Sequence, residues 1–414
     1  MTQRLDAIPF RTIGLLAGAA AALVVACSDG EDANDSADTD GGKHKTDTGI
    51  SSSEGDAAIA DGSVGDGETT VDEGGTLPDG GPSTVNPVKL PAKERSWTWY
   101  DIPGAVCRDG SNAGFALNVN SLASSSKKLM VFFQGGGACF ESNTCANNPA
   151  KVSAKSVSGG IVDRSNAANP VADWDYAFVP YCTGDVHVGN NPNGNVPGVG
   201  PQKFVGYVNT ALFLKTLKAT FPATQRVLMT GTSGGGFGSA GNYMQAVREF
   251  PGIPVNLADD SGQLMRSPAL AQCLQATWKS LWGLEKSLIA ECGADCTSDP
   301  DYLLAASKHA AKTYSKYAQG LITATGDTTI RQFYGFGESG CTTYKAVTEE
   351  AFKAGVLDIR AQHASYSNFG VYAYDSTKHT LLLSGSYYTA NGTSKTVASW
   401  VGDIVTDKAA NIGP

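Results

Sequence analysis

Apolar residues in this chain gather in short runs that alternate with stretches of helical spacing. Lys128-Leu129-Met130-Val131-Phe132-Phe133 has the unbroken apolar character of a strand covered on both faces, and it runs straight into Gln134-Gly135-Gly136-Gly137-Ala138-Cys139. Asp175 to Pro180 predicts a second such strand, ending in Tyr181-Cys182-Thr183-Gly184-Asp185-Val186-His187. After a loop rich in Gly, Asn and Pro, the residues Phe204, Val205, Val208, Ala211, Leu212 and Leu217 predict a helix, and Val227-Leu228-Met229 predicts the next strand. Further strands are expected at Pro254 to Leu257 and Gly320 to Ala324. Strand, helix, strand in this order implies an α/β fold with a mostly parallel sheet flanked by helices. In such a fold the functional loops gather at the carboxyl ends of the strands, where Gly135 to Cys139, His187 and Ser233 all fall.

Within this pattern Gly231-Thr232-Ser233-Gly234-Gly235 fits GxSxG, between the strand at 227–229 and a helix expected over Ala240 to Val247. Glycines there permit a strained turn and close strand–helix packing, so that Ser233 Oγ stands clear at a helix N-terminus, where a developing oxyanion is stabilised. The alternative is a structural Gly-rich turn. The Gly135-Gly136-Gly137 run lets the backbone approach a substrate with no Cβ in the way, so its N–H groups and that of Gly234 suit an oxyanion hole.

A nucleophilic serine also needs a base and an orienting acid, in the chain order Ser, Asp/Glu, His for this fold. His309, His363 and His379 follow Ser233. His309 lies in an Ala- and Lys-rich helical run, as a surface histidine would. His379-Thr380-Leu381-Leu382-Leu383 reads as a loop-to-strand boundary, which favours His379 as the base. For the acid, Asp259 and Asp260 follow one strand and Asp327 another; Asp327, nearer to His379, is preferred.

Composition divides the chain in three. Met1 to Ala26, with Arg4 and Arg11 ahead of the apolar run Ile13 to Val25, reads as an export signal, and the Cys27 that follows small residues reads as a lipidation site. Residues 27–85 form an acidic Gly/Asp/Ser tether that holds too little apolar surface to fold. Between Ser28 and Gly80 fifteen acidic residues face Lys43 and Lys45, a net of −13 in a chain whose total is −9. The remainder, expected to fold as one domain over 86–414, is therefore slightly basic, with no Lys/Arg cluster interleaved with aromatics, and nucleic-acid binding is excluded. Setting Cys27 aside, eight cysteines remain, at 107, 139, 145, 182, 273, 292, 296 and 341, which in an exported protein implies four disulfides whose pairing spacing alone does not choose. Cys292 and Cys296 have no second Cys pair or His nearby in sequence, so a structural bridge is favoured over a metal site.

Taken together, Cys107-Arg108-Asp109-Gly110-Ser111, the GGGxC loop ending at Cys139 with Cys145 after it, Pro180-Tyr181-Cys182-Thr183-Gly184 and the Ser233 turn resemble the pectin acetylesterase family, which spans plant pectin acetylesterases and Notum-like lipid deacylases. The resemblance implies an α/β-hydrolase-like fold, a Ser233, Asp327, His379 triad, and oxyanion donors at Gly137 or Ala138 and at Gly234. It also implies Cys107–Cys182 and Cys139–Cys145 bridges, with Cys273, Cys292, Cys296 and Cys341 pairing among themselves. Two departures bear on substrate: the family commonly has Trp where this chain has Ala138, and Cys-Ser-Ala where it has Thr232-Ser233-Gly234. The segment from Cys273 to Lys316, with Trp278, Trp282, Leu284 and Leu288, is expected as a helical insertion over the sheet, serving as an acyl or sugar-binding lid or as core.

The leading functional expectation is a serine esterase that removes O-acetyl groups from a pectin-like polysaccharide, without metal or organic cofactor. It would act as a monomer at the bacterial cell envelope, tied to the membrane by its lipid alone. The alternatives are a carboxylesterase acting on longer acyl chains, and a surface lipoprotein that binds without turnover.

Overall fold

The computed structural model describes residues 86–123 and 127–414. The expected export signal, Cys27 and the expected tether lie outside the described residues. Ten strands occur among them: β1 (Thr98–Val106), β2 (Asn112–Asn118), β3 (Lys128–Phe133), β4 (Asp175–Val179), β5 (Asn191–Val196), β6 (Gly200–Phe204), β7 (Arg226–Thr232), β8 (Val255–Asp260), β9 (Gln319–Ala324) and β10 (Phe369–Tyr374). Eight of them form one sheet in the order β1-β2-β4-β3-β7-β8-β9-β10. β1 and β2 enter antiparallel, and every pairing from β4 onward is parallel. This is the α/β-hydrolase arrangement, with β5 and β6 set apart as an antiparallel pair.

Alternation explains why the strand sequences look continuously apolar. Leu129, Val131 and Phe133 of β3 face one core layer, and Met130 and Phe132 face the other. On β10, Phe369, Val371 and Ala373 point to the first layer, while Tyr372 and Tyr374 point to the second. Both faces are covered, so every position is apolar. The first layer packs under the helices Gly206–Thr220, Tyr243–Glu249 and Glu349–Gln362 and under the segment between β8 and β9. That segment holds the helices Gln272–Trp282, Leu288–Cys292, Ala294–Thr297 and Tyr302–Thr313, the helical insertion the sequence pattern anticipates. The second layer is closed by the helix Val397–Ile404 with Trp174, Tyr387 and Trp400.

Three local expectations are corrected. The Gly/Asn/Pro loop contains the β5–β6 hairpin, and Phe204 ends β6, so the helix begins only at Gly206, whose N–H donates to the buried Asp185 carboxylate at 2.8 Å. The helix after the serine starts at Gly234, not Ala240, and breaks at Asn242, whose side-chain amide donates to Gly238 O and His187 O. Leu381, Leu382 and Leu383 are not a strand. Leu381 and Leu382 are wholly buried plugs of the second core layer, and their amides are satisfied by a carboxylate rather than by a ladder.

Four disulfides join Cys107 to Cys182, Cys139 to Cys145, Cys273 to Cys341 and Cys292 to Cys296. The first spans 75 residues and the last 4. Because loop-closure entropy grows with the length closed, Cys107→Ser/Cys182→Ser is expected to cost about 4 kcal/mol and Cys292→Ser/Cys296→Ser about 2 kcal/mol. Denaturant unfolding of both double variants measures the difference.

Candidate active site

Five strands deliver the candidate residues to one edge of the sheet. Ser233 follows β7, and the loop Gln134 to Cys139 follows β3 beside it. Asp260 ends β8, Asp327 follows β9, and His379 follows β10.

Ser233 is held at φ 57°, ψ −125°, a conformation that side chains other than glycine rarely adopt, and it forms the N-cap of the helix Gly234–Gly241. Such strain persists only where surroundings over-determine it. Here Ser233 N–H donates to Asp260 O at 2.8 Å, and Ser233 O accepts from Phe237 N–H at 3.1 Å. The close approach of β3 to the turn requires glycine: a Cβ on Gly235 would stand 2.0 Å from Phe133 O, and one on Gly135 would stand 2.5 Å from Thr232 O. A larger residue at either position would push the serine and the Gly-rich loop apart.

The loop after β3 is fastened from several directions. His187 Nε2 lies 2.9 Å from Gln134 O, with its ring against Phe133 and Tyr181. Burial pulls the His187 pKa down to about 4, so the ring is neutral near pH 7 and Nε2–H is the donor to that carbonyl. Asn148 Nδ2 donates to Gly136 O at 2.7 Å, and the buried Arg108 guanidinium donates to Asn148 O and Cys145 O. Cys139 N–H donates to Gly184 O, Trp282 Nε1–H donates to Cys139 O, and the Cys139–Cys145 bridge closes the far end. What these contacts leave over are the amides of Gly137 and Ala138, which have no hydrogen-bond acceptor among the described residues. Gly234, in the first helical turn, has no intrahelical acceptor either.

Asp327 is fully buried and caps the helix Thr328–Tyr334, its Oδ1 accepting from Thr329 N–H and Ile330 N–H at 3.0 Å each. Its other oxygen, Oδ2, lies 2.8 Å from His379 Nδ1. With Oδ2 as the acceptor, Nδ1–H is the donor of this bond, the tautomer in which a neutral imidazole presents a bare Nε2. The His379 side chain keeps 21% of its surface exposed, enough to meet a substrate from solvent.

The other acids and histidines are engaged elsewhere. Asp259 Oδ1 accepts from Gly262 N–H, and burial raises its pKa well above the usual carboxylate range. Asp260 turns its Oδ2 toward the amides of Leu381 and Leu382, at 2.7 and 2.8 Å. Burial pushes its pKa up to about 6, against the lowering effect of those two amides. His363 is buried between Ser307 Oγ and Ile359 O and stacked on Phe369, while His309 pairs with Asp295 on the helical insertion. Among the described residues, no group of three or more His, Cys, Asp and Glu side chains is arranged to hold a metal ion.

Ser233, Gly137, Ala138 and Gly234 share one cavity of about 380 Å³ of empty space, partly open to solvent. Its walls are apolar: Trp278 and Trp282 stack at 5.4 Å, and Ile330, Phe333 and Tyr334 line it with them. The insertion tryptophans are thus both core and pocket wall. Sequence reasoning missed the fastening roles of His187, Arg108, Asn148 and Asp260. The placement of His187 and Asp260 at strand ends was a visible signal; their partners were not.

A family profile described as pectinacetylesterase matches residues 98–309. Palmitoleoyl-protein carboxylesterase notum1 of Xenopus laevis is 30% identical over 176 residues, covering 38% of this chain and 34% of that protein. Palmitoleoyl-protein carboxylesterase NOTUM of Drosophila melanogaster is 27% identical over 229 residues, covering 47% and 32%. The matched region thus spans about a third of the length of these curated relatives. Among solved structures, the Wnt deacylase Notum from Drosophila superposes with a TM-score of 0.57 at 19% identity, covering 76% of this chain and 95% of that one.

Proposed function

We propose that this chain, which belongs to the pectinacetylesterase family, hydrolyses carboxylic esters by an acyl-enzyme route. The observation that carries the reading is the 2.8 Å pair between Asp327 Oδ2 and His379 Nδ1 at the same sheet edge as a serine in a strained turn at a helix N-terminus. His379 Nε2 takes the proton from Ser233 Oγ as that oxygen attacks the ester carbonyl, and Asp327 stabilises the imidazolium that forms. The negative charge that develops on the carbonyl oxygen falls to the free amides of Gly137, Ala138 and Gly234. The imidazolium then protonates the leaving alcohol. Water, activated by His379 in turn, attacks the acyl-enzyme and releases the acid and free Ser233.

The acyl group on our leading reading is acetyl and the alcohol a pectin-like polysaccharide hydroxyl. The family supports this, as does a pocket whose walls are backed by fully packed core: Trp282 and Tyr334 are almost wholly buried, and the Phe333 ring lies across the Gly137 backbone. A second reading, deacylation of longer chains, is favoured by the apolar lining and by relatives named as palmitoleoyl-protein carboxylesterases. Hydrolysis of p-nitrophenyl esters from acetyl to palmitoyl separates the two. We expect kcat/KM to be highest on acetate and to fall by about tenfold or more by butyrate, since a longer acyl chain must press on walls that have packed core behind them, and overpacking costs about 1–3 kcal/mol. A maximum at eight carbons or beyond would transfer the proposal to the second reading. Four disulfides suit an oxidising compartment, and export with lipidation at Cys27 completes the proposal.

A further inference from the structure

Asp260 holds three parts of the site at once. Its main-chain oxygen accepts the Ser233 amide at 2.8 Å, so β8 fixes the nucleophile turn through backbone alone. Its side chain reaches the opposite way: Oδ2 accepts both Leu381 N–H and Leu382 N–H, two and three residues beyond His379, and Oδ1 accepts from Ser261 Oγ at 3.1 Å. The loop it grips has no ladder of its own. Thr380, next to His379, sits at φ 64°, so the turn carrying the imidazole is strained and must be held from outside. Asp327 restrains the ring of His379, but among the described residues its bonds to this loop are to the ring and not to the backbone at 380–382.

We propose that the Asp260 carboxylate is a positioning residue for His379: by holding the amides of Leu381 and Leu382 it fixes the loop that aims the imidazole at the serine turn, which the same residue anchors through its main-chain oxygen. This rests on the esterase reading above. Because the side chain is wholly buried and both amides converge on one oxygen, removing it leaves two buried donors unpaired and the loop free to shift. A displacement of about 1 Å of a catalytic group costs about 10²-fold in rate. Asn keeps an acceptor oxygen at the same place but offers the amides a neutral partner, so its effect is the smaller one.

The test uses the full chain and p-nitrophenyl acetate, with Ser233→Ala as the control for the esterase reading itself. Asp260→Ala is expected to lower kcat by about 10²-fold and Asp260→Asn by about tenfold, each with KM within about twofold of the parent. The decisive measurement places Asp260→Asn in a His379→Ala background, with high enzyme concentration to read the residual rate. A residue that acts through His379 has nothing left to act on, so the second substitution should change that rate by less than about twofold. An equal tenfold loss in both backgrounds would overturn the proposal, because Asp260 would then act on the fold or on Ser233. So would Asp260→Asn with unchanged kcat, or with a raised KM as its only effect. Should Asp260→Ala fail to fold, Asp260→Asn alone decides. Turnover that survives in Ser233→Ala would sink the esterase reading instead, a result distinct from any of these.

Discussion

Ser233→Ala is expected to lower kcat on the best p-nitrophenyl ester by on the order of 10⁶, the size of effect seen when a nucleophile is removed from a triad that acts as a unit. The fold should be unchanged. Ser233 makes its structural bonds through main-chain N–H and O, to Asp260 O and from Phe237 N–H, and Ala keeps both at the same strained φ of 57°. Its melting temperature should therefore match the parent, which separates lost chemistry from lost structure. If no ester tested showed Ser233-dependent turnover while the protein remained folded, the esterase mechanism would fail, and a binding role for the protein would be the reading to pursue.

Asp327→Asn should lower kcat by about 10⁴-fold, again with little change in stability. Asn is as good an N-cap as Asp, so its side-chain oxygen can still receive Thr329 N–H and Ile330 N–H and start the helix Thr328–Tyr334. The amide nitrogen then faces His379 Nδ1 as a donor. The ring proton is displaced to Nε2, the nitrogen that must be bare to accept from Ser233. Steady-state kinetics beside a thermal melt checks both halves of the expectation. Asp327→Asn at parental rate with Asp260→Asn inactive would reverse the assignment of the acid.

Local chemistry was legible in the sequence wherever a few consecutive residues carried it. The runs 128–133 and 227–229 lie inside β3 and β7, because strands buried on both faces need apolar residues at every position. The glycines at 135 and 235 stand where neighbouring backbone leaves no room for a Cβ. The reading weakened where a residue's surroundings come from far along the chain. Leu381 to Leu383 looked like a strand because an apolar triplet signals burial, not a particular backbone; Leu381 and Leu382 are buried, but Asp260, more than a hundred residues earlier, supplies their hydrogen bonds. The β5–β6 pair hid in Gly, Asn and Pro residues that mark loops, and the antiparallel entry of β1 and β2 carried no pattern strong enough to predict.

The order of the strands in the sheet also governs when this protein can first act. β3, with its Gly-rich loop, lies between β4 and β7, and the loop bearing His379 emerges only from β10, the last strand added at the far edge. On the proposed mechanism, a growing or truncated chain that ends before His379 has the serine turn and no base to activate it. Because the 381–382 amides must also reach β8, the pieces become useful only when the carboxyl-terminal segment has docked. On that mechanism an unfinished chain is a silent one, and the full complement of strands serves as its own release check.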